Sequence, residues 1–368
     1  MKIVVAGAGY AGTIAANRLA KRVRDAQITV VNPRAEFVER VRLHEQISGT
    51  GSAATPLRAM LRDGIGIRVD SVEKIGDGVL TLRDTPELAF DYALLAVGST
   101  VVPPSGTVAV GTWEGAQQAR KLLNELAEDS TVTVVGGGLT GIETASEIAD
   151  AHPGLRVRLV GATIGASLSP AARRRVLTDL EGLGVEIVLG SFAEVRVGKA
   201  GGAVVLETGD VLGSDLTLWA IVSGVPDLAA RSGLQVTSDG RAVVDEFLRS
   251  VSDPKIFVIG DCAAVPNARF ACATATPQGA HAASTLARLI AGRDPKPFSM
   301  GYTGQALSLG RRNGLVQASR RDDTPRRFHI AGRLAAISKE SINRYAKYGS
   351  RTANYAWLPG TGTSHPPR

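Results

Sequence analysis

The chain has 368 residues, of which 44% are hydrophobic and 21% charged. These proportions exclude a disordered or fibrous chain, and no apolar run approaches the length of a membrane span. Two cysteines in this length exclude a disulfide framework and point to a reducing cytoplasm. The formal charge of +7 is unevenly placed: residues 311–368 hold twelve Lys or Arg against three Asp or Glu, so the rest of the chain is slightly acidic. Such a tail suits an anionic partner surface or is simply solvated. No nucleic-acid motif accompanies it, so nucleic acid is not an expected partner.

Residues 3–6 are a short β-branched apolar run, the pattern of a buried parallel strand, and the chain enters it so early that no signal peptide is expected. Gly7-Ala8-Gly9-Tyr10-Ala11-Gly12 follows and leads into helical spacing. Gly7 permits the tight turn, Gly9 lets a pyrophosphate approach the backbone, and Gly12 lets the helix lie close on the strand. The free amides and positive dipole at the helix start hold phosphate. The next strand, 27–31, ends in Val31-Asn32-Pro33-Arg34. An acid usually closes this strand and binds ribose hydroxyls; Asn32 takes that place as a ribose candidate. Segment 37–46, FVERVRLHEQ, lies where a flavin-facing stretch runs, with Arg42 as a cofactor-binding candidate. His44 within it is either a packed histidine or a catalytic one.

Residues 66–92 read as short strands and turns. Residues 92–98, YALLAVG, form a buried strand ending in Gly98, a further cofactor-binding candidate, and Pro103-Pro104-Ser105-Gly106 is a boundary. A helix over 113–128 leads to a second copy of the opening pattern. The β-rich run 131–135 precedes Gly136-Gly137-Gly138-Leu139-Thr140-Gly141, and both copies extend to GxGxxGxxxA, ending in Ala16 and Ala145. Two such units imply two dinucleotides, a flavin and a nicotinamide. The strand 156–160 is followed by Gly161 where an acid would hold the 2′-hydroxyl of NADH. Arg156, Arg158 and Arg173 are the nearest candidates for a 2′-phosphate, which leaves NADH and NADPH both open. Further strands read at 185–189, 204–207 and 216–221, with a return boundary at 223–226. Another buried strand, 256–263, runs through Gly260-Asp261. A helix over 276–289 follows, and 301–368 reads as a smaller region of mixed structure with no evident long amphipathic membrane helix.

Together these motifs resemble the two-dinucleotide flavoproteins of the pyridine-nucleotide oxidoreductase family, over the whole chain. Gly136–Glu143, Trp219–Pro226, Gly260–Ala263, Pro277–His281, Gly304–Arg312 and Gly332–Glu340 are similar to segments of type II NADH dehydrogenases and apoptosis-inducing-factor-like quinone reductases. The resemblance implies an α/β fold with two Rossmann-like domains, the NAD domain inserted in the FAD domain, and a small C-terminal α+β region. It divides the chain into 1–106 and 226–300 for FAD, 107–225 for NAD(P), and 301–368. It places Asp261 on the flavin ribitol, Gln278 on a flavin carbonyl or quinone, Glu143 near the nicotinamide and Lys339 near the flavin. The chain departs from the pattern at Asn32, Gly161, Pro277 and His281.

FAD and NAD(P)H are therefore the expected cofactors. Hydride passes from nicotinamide to flavin, and electrons then pass to an acceptor. Glu143, Gln278 and Lys339 are the catalytic candidates; each is also explained as an ordinary helix-end acid, helix-surface amide or tail lysine. Cys262 and Cys272 lie too late for a disulfide opposite the flavin, and five scattered histidines form no metal site. The leading reading is a reductase of a quinone-like acceptor. Its alternatives are a reductase of an electron-carrier protein such as ferredoxin, docked through the basic tail, and an apoptosis-inducing-factor-like redox-sensing flavoprotein. Tyr345, Tyr348, Tyr355 and Trp357 interleave with Arg344, Lys347 and Arg351. That pattern fits a peripheral contact with the inner membrane face, packing on the flavin domain, or a homodimer contact.

Overall fold

The computed structural model describes residues 1–198 and 201–360. Its first sheet is parallel and five-stranded, in the order Ile256–Val258, Tyr92–Leu95, Lys2–Ala6, Gln27–Asn32, Gly66–Val69. Val5 lies opposite Val30 on one side and Leu94 on the other. Ile3, Val5, Leu94 and Phe257 are fully buried in a core that also takes in Ala15 and Leu19 of the helix Tyr10–Arg22 and Ile75, Leu80 and Leu82 of the antiparallel strands Val72–Gly76 and Val79–Leu82. Burying such a side chain contributes about 1.5–3 kcal/mol. This explains why the strands read as continuous apolar runs rather than as alternation.

The second sheet repeats the arrangement with Val108–Ala109, Leu216–Trp219, Thr131–Val135, Arg156–Gly161 and Glu186–Leu189. In both sheets the strand feeding the glycine loop is central, and the loop follows its carboxyl end. A separate antiparallel sheet, Phe192–Gly198, Gly201–Leu206 and Val211–Ser214, flanks the second one. The chain then returns to the first sheet at Ile256–Val258, which pairs with Tyr92–Leu95.

The helix Cys272–Ile290 lies on the first fingerprint helix, Tyr10–Arg22. A side chain at Gly279 would overlap the Ala11 carbonyl oxygen, so glycine sets the distance of approach. The last part of the chain is a three-stranded antiparallel sheet (Gly304–Ser308, Gly314–Ser319, Pro325–Ala331) and the helix Arg333–Thr352. Asn17 anchors the end of that helix to the first unit by donating from Nδ2 to the Ser350 and Met60 carbonyls, each at 2.8 Å. Arg18 adds a bond to the Ala353 carbonyl at 2.9 Å.

A twenty-residue amphipathic helix stands where the sequence reading expects only mixed structure. Its buried stripe is Ala335, Lys339, Asn343, Ala346 and Gly349, which are small or polar. Leu334, Ile337, Ile342 and Tyr348 face solvent instead. The usual apolar-inward period is inverted, which hides the helix from pattern reading. Three of the C-terminal aromatics are engaged within the protein: Tyr345 stacks on Tyr355 at 5.0 Å, and the Trp357 indole donates to the Ser299 carbonyl at 3.0 Å. Among the described residues, no helix is long and apolar enough to cross a membrane.

Candidate active site

Both glycine loops have the geometry that phosphate binding needs. Gly7 and Gly136 take φ of +101° and +130°, a conformation that excludes side chains. Side chains at Gly12 and Gly141 would overlap the Gly7 and Gly136 carbonyl oxygens. At Gly9 and Gly138 the position of a side chain is open, with nothing within 4 Å. These two glycines are also the N-caps of Tyr10–Arg22 and Leu139–Ala151, and neither cap has a side-chain bond. The first-turn amides of Tyr10, Ala11, Leu139 and Thr140 thus border clear space at a helix N-terminus, as a pyrophosphate requires. The residues fit two dinucleotides.

On the flavin side, Asp261 follows the strand Ile256–Val258 at a turn where Gly260 has φ +80°. Ser99 Oγ donates to Asp261 Oδ2 at 2.6 Å, and Arg40 Nη1 donates to Ser99 Oγ at 2.8 Å. Burial raises the Asp261 carboxyl, opposed by the Ser99 bond and by Arg40. Next to Ser99, Gly98 (φ +73°) has nothing within 4 Å of where a side chain would lie. Arg40 and Ser99 carry no motif, and sequence reading missed both.

Gln278 has a partner within the protein. It is buried, and its Oε1 accepts the Gly260 N–H at 2.7 Å, so it holds the turn that presents Asp261 rather than facing a flavin carbonyl or quinone through that oxygen. Arg42, the cofactor-binding candidate of segment 37–46, has carboxylate partners. Its guanidinium is shared among Glu39 (3.5 Å), Glu45 (3.0 Å) and Glu340 (2.8 Å). Tyr10 is buried edge-on against Phe37 and donates to Glu39 Oε2 at 3.3 Å.

The ends of the two second strands also differ from expectation. Asn32 Oδ1 accepts the Ala8 N–H at 3.0 Å, and its Nδ2 donates to the Arg34 carbonyl at 2.7 Å, so the side chain ties strand to loop with its amide hydrogens engaged. At Gly161 a side chain would stand 2.8 Å from the Gly137 nitrogen, so close packing excludes the missing acid. Arg156 bonds the Asp129 carbonyl at 2.9 Å, and Arg158 pairs with Glu186 at 2.7 Å. Arg173 remains near the loop, beside Gly165, with a buried Nε that has no partner.

The decisive cluster forms where four distant segments meet. Glu143, in the second fingerprint helix, accepts through Oε1 from the Ser308 N–H at 3.0 Å and the Ser308 hydroxyl at 3.2 Å, and forms an ion pair with Lys339. The Lys339 ammonium also donates to Ser308 Oγ at 3.3 Å, and His44 Nε2 lies 3.1 Å from the same oxygen. Burial pushes Lys339 down from its ordinary value to about 7. His44 is held well below the usual imidazole range by burial and then by Lys339, Arg311 and Arg42, so it is neutral. One turn beyond Glu143, Glu147 is fully buried, takes a bond from Thr50 and lies 3.4 Å from Arg311; burial raises its carboxyl. Sequence reading finds Glu143 and Lys339, leaves His44 undecided and misses Ser308.

A family model described as pyridine nucleotide-disulphide oxidoreductase matches residues 1–287, a span that includes both glycine loops and Asp261. The chain belongs to this family. It binds FAD and NAD(P)H and is an oxidoreductase. Ferroptosis suppressor protein 1 of Xenopus laevis is 25% identical over 337 residues, covering 86% of this chain and 88% of that protein. Rubredoxin-NAD(+) reductase of Pseudomonas putida is 29% identical over 312 residues, 79% of each chain. Among solved structures, the sulfide:quinone oxidoreductase of Aquifex aeolicus superposes with a TM-score of 0.78 at 16% identity, covering 96% of this chain and 92% of that one. The Plasmodium falciparum NDH2 complex with NADH gives 0.78 at 15%, covering 95% and 97%. These structures share the fold. The disulphide of the family name has no counterpart here, since Cys262 and Cys272 are both free and burial pushes each thiol up to about 11.

Proposed function

We propose that this family member is an FAD-dependent NAD(P)H oxidoreductase that passes electrons to a quinone-like acceptor. The observation that supports it is the contact of Glu143, on the nicotinamide unit, with Lys339, on the C-terminal helix. When bound, FAD supplies the two-electron chemistry that joins a hydride donor to an acceptor. Glu143 orients the carboxamide side of the donor and shares a proton with Lys339. Ser308 bonds both groups and is itself held by His44, so neither needs to reorganise during turnover. The partly buried Asp261, held by Ser99 and Arg40, takes the ribitol hydroxyls, and the amides at Gly9 and Gly138 take the two pyrophosphates. The same reading assigns 1–106 and 226–300 to FAD, 107–225 to NAD(P)H and 301–368 to the acceptor side.

Anaerobic absorbance titration tests it. A yellow protein bleached by NADH or NADPH and recoloured by a quinone supports the proposal, and the effective nucleotide identifies the donor. A yellow protein that neither nucleotide bleaches rules it out. The excess of arginine beyond residue 310 favours a second reading, reduction of an acidic electron-carrier protein. That reading requires turnover with such a carrier, falling steeply as salt is added.

A further inference from the structure

Beside the Glu143–Lys339 pair lies an open cleft of about 630 Å³, within the size range of small-molecule sites. Its walls are Glu45, the turn that carries Ser308, Arg311 and Arg312, and the C-terminal helix from Arg333 to Arg344. No residue of either glycine loop or of the second nucleotide unit lines it. The two pyrophosphate cradles therefore lie outside it. Its inner end is formed by Ser308 and Lys339, the two groups in contact with Glu143, so a molecule seated there lies next to the reacting centre.

The lining has a definite chemistry. Five cationic side chains face two carboxylates. Both carboxylates are already shared between guanidiniums: Glu45 lies 3.0 Å from Arg42 and 3.3 Å from Arg311, and Glu340 lies 2.8 Å from Arg42 and 2.7 Å from Arg344. Arg312 and Arg333 are exposed and have no ion pair or side-chain hydrogen bond among the described residues. Between them and Lys339, Ala336 and the half-exposed Ile337 supply an apolar strip. Unpaired guanidiniums at the mouth, an apolar strip and a buried ammonium within suit a flat ligand with an acidic substituent.

We propose that this cleft is a third ligand site, taking a small planar acceptor that bears a negative charge, with the charge held by Arg312 and Arg333. The proposal rests on the acceptor reading above and narrows its substrate class. The reaction balances as NAD(P)H giving up a hydride while a quinone takes two electrons and two protons, the second proton coming from solvent. A concave site of this size favours a small molecule over the flat surface of a carrier protein.

The test combines binding and turnover on the FAD-loaded protein. Calorimetry with naphthalene-2-sulfonate, which is redox-inert, is run on the wild type and on the R312A/R333A double variant. Turnover is compared between 1,2-naphthoquinone-4-sulfonate and neutral menadione. The wild type binds the sulfonate, and the double variant binds it about tenfold more weakly, as expected for two solvent-screened charge contacts. The kcat/KM preference for the sulfonated quinone falls in proportion. Both positions are exposed, and a thermal melt confirms that the variant is folded. Absence of sulfonate binding, or equal binding by the variant, overturns the proposal, as does salt-sensitive binding of an acidic carrier in its place. Arginine-dependent sulfonate binding without reduction of either quinone upholds the cleft and refutes the acceptor reading.

Discussion

Glu143 and Lys339 form an ion pair between two helices that are almost two hundred residues apart in sequence, and both side chains are largely buried, at 11% and 8% exposure. Removing one partner strands the other charge in a dry site. Lys339→Met or Glu143→Gln alone is expected to cost roughly 3 kcal/mol, and the double variant less than the sum. Urea denaturation of the four proteins measures the cycle. Additive losses are the outcome that dismisses the pair as a stabilising unit.

The lysine also sets a pH dependence. Its folded pKa, about 7, lies below the ordinary 10.5, so between these values the unfolded chain binds more protons than the folded one. Stability therefore rises with pH across that window and is lowest below it. The raised thiols of Cys262 and Cys272 contribute the opposite slope above 9, so the interval from 7 to 9 is the informative one. The urea midpoint of the wild type is expected to climb across this interval, and that of Lys339→Met to stay flatter.

Gly9 and Gly12 stand three residues apart and predict opposite phenotypes. A methyl at Gly9 meets open space, whereas one at Gly12 overlaps the Gly7 carbonyl. Gly9→Ala is expected to fold normally and to purify with little flavin, because the methyl occupies the pyrophosphate's place. Gly12→Ala is expected to lose stability, by about 1–3 kcal/mol for an overpacked contact. The ratio of flavin to protein absorbance, together with the melting temperature, separates the two.

Ser308→Ala removes the hydroxyl on which Glu143, Lys339 and His44 converge. Turnover is expected to fall by about tenfold or more, within the range of a lost positioning interaction, with the KM for the nicotinamide nucleotide little changed. A rise in that KM at constant kcat would instead assign Ser308 to nucleotide binding.

The two dinucleotide units are legible in the sequence because each is local. A β-branched run, three glycines and a helical spacing within sixteen residues specify strand, turn and helix without help from the rest of the chain. The cluster around Glu143 is not local. His44, Glu143, Ser308 and Lys339 come together only when three regions pack, and no spacing records that. Arg40, Ser99 and Asp261 form a second such group. The C-terminal helix escaped notice because small and polar residues fill its buried stripe. Gln278 and Arg42 were visible as residues, but their partners lay out of reach of the sequence: a turn N–H for one and three carboxylates for the other.

The strand order carries a consequence for the order of assembly. The second sheet draws all five strands from one contiguous stretch, Val108 to Trp219. The first sheet leaves Tyr92–Leu95 as an open edge until Ile256–Val258 emerges. During synthesis the inserted unit can therefore close while its host waits with unpaired backbone, and the host is completed only after the insertion is finished. Contacts this distant are slow to form and leave the open edge exposed to pairing with other chains. The interruption thus makes the host unit the late step of folding, and the part most in need of protection while the chain is still growing.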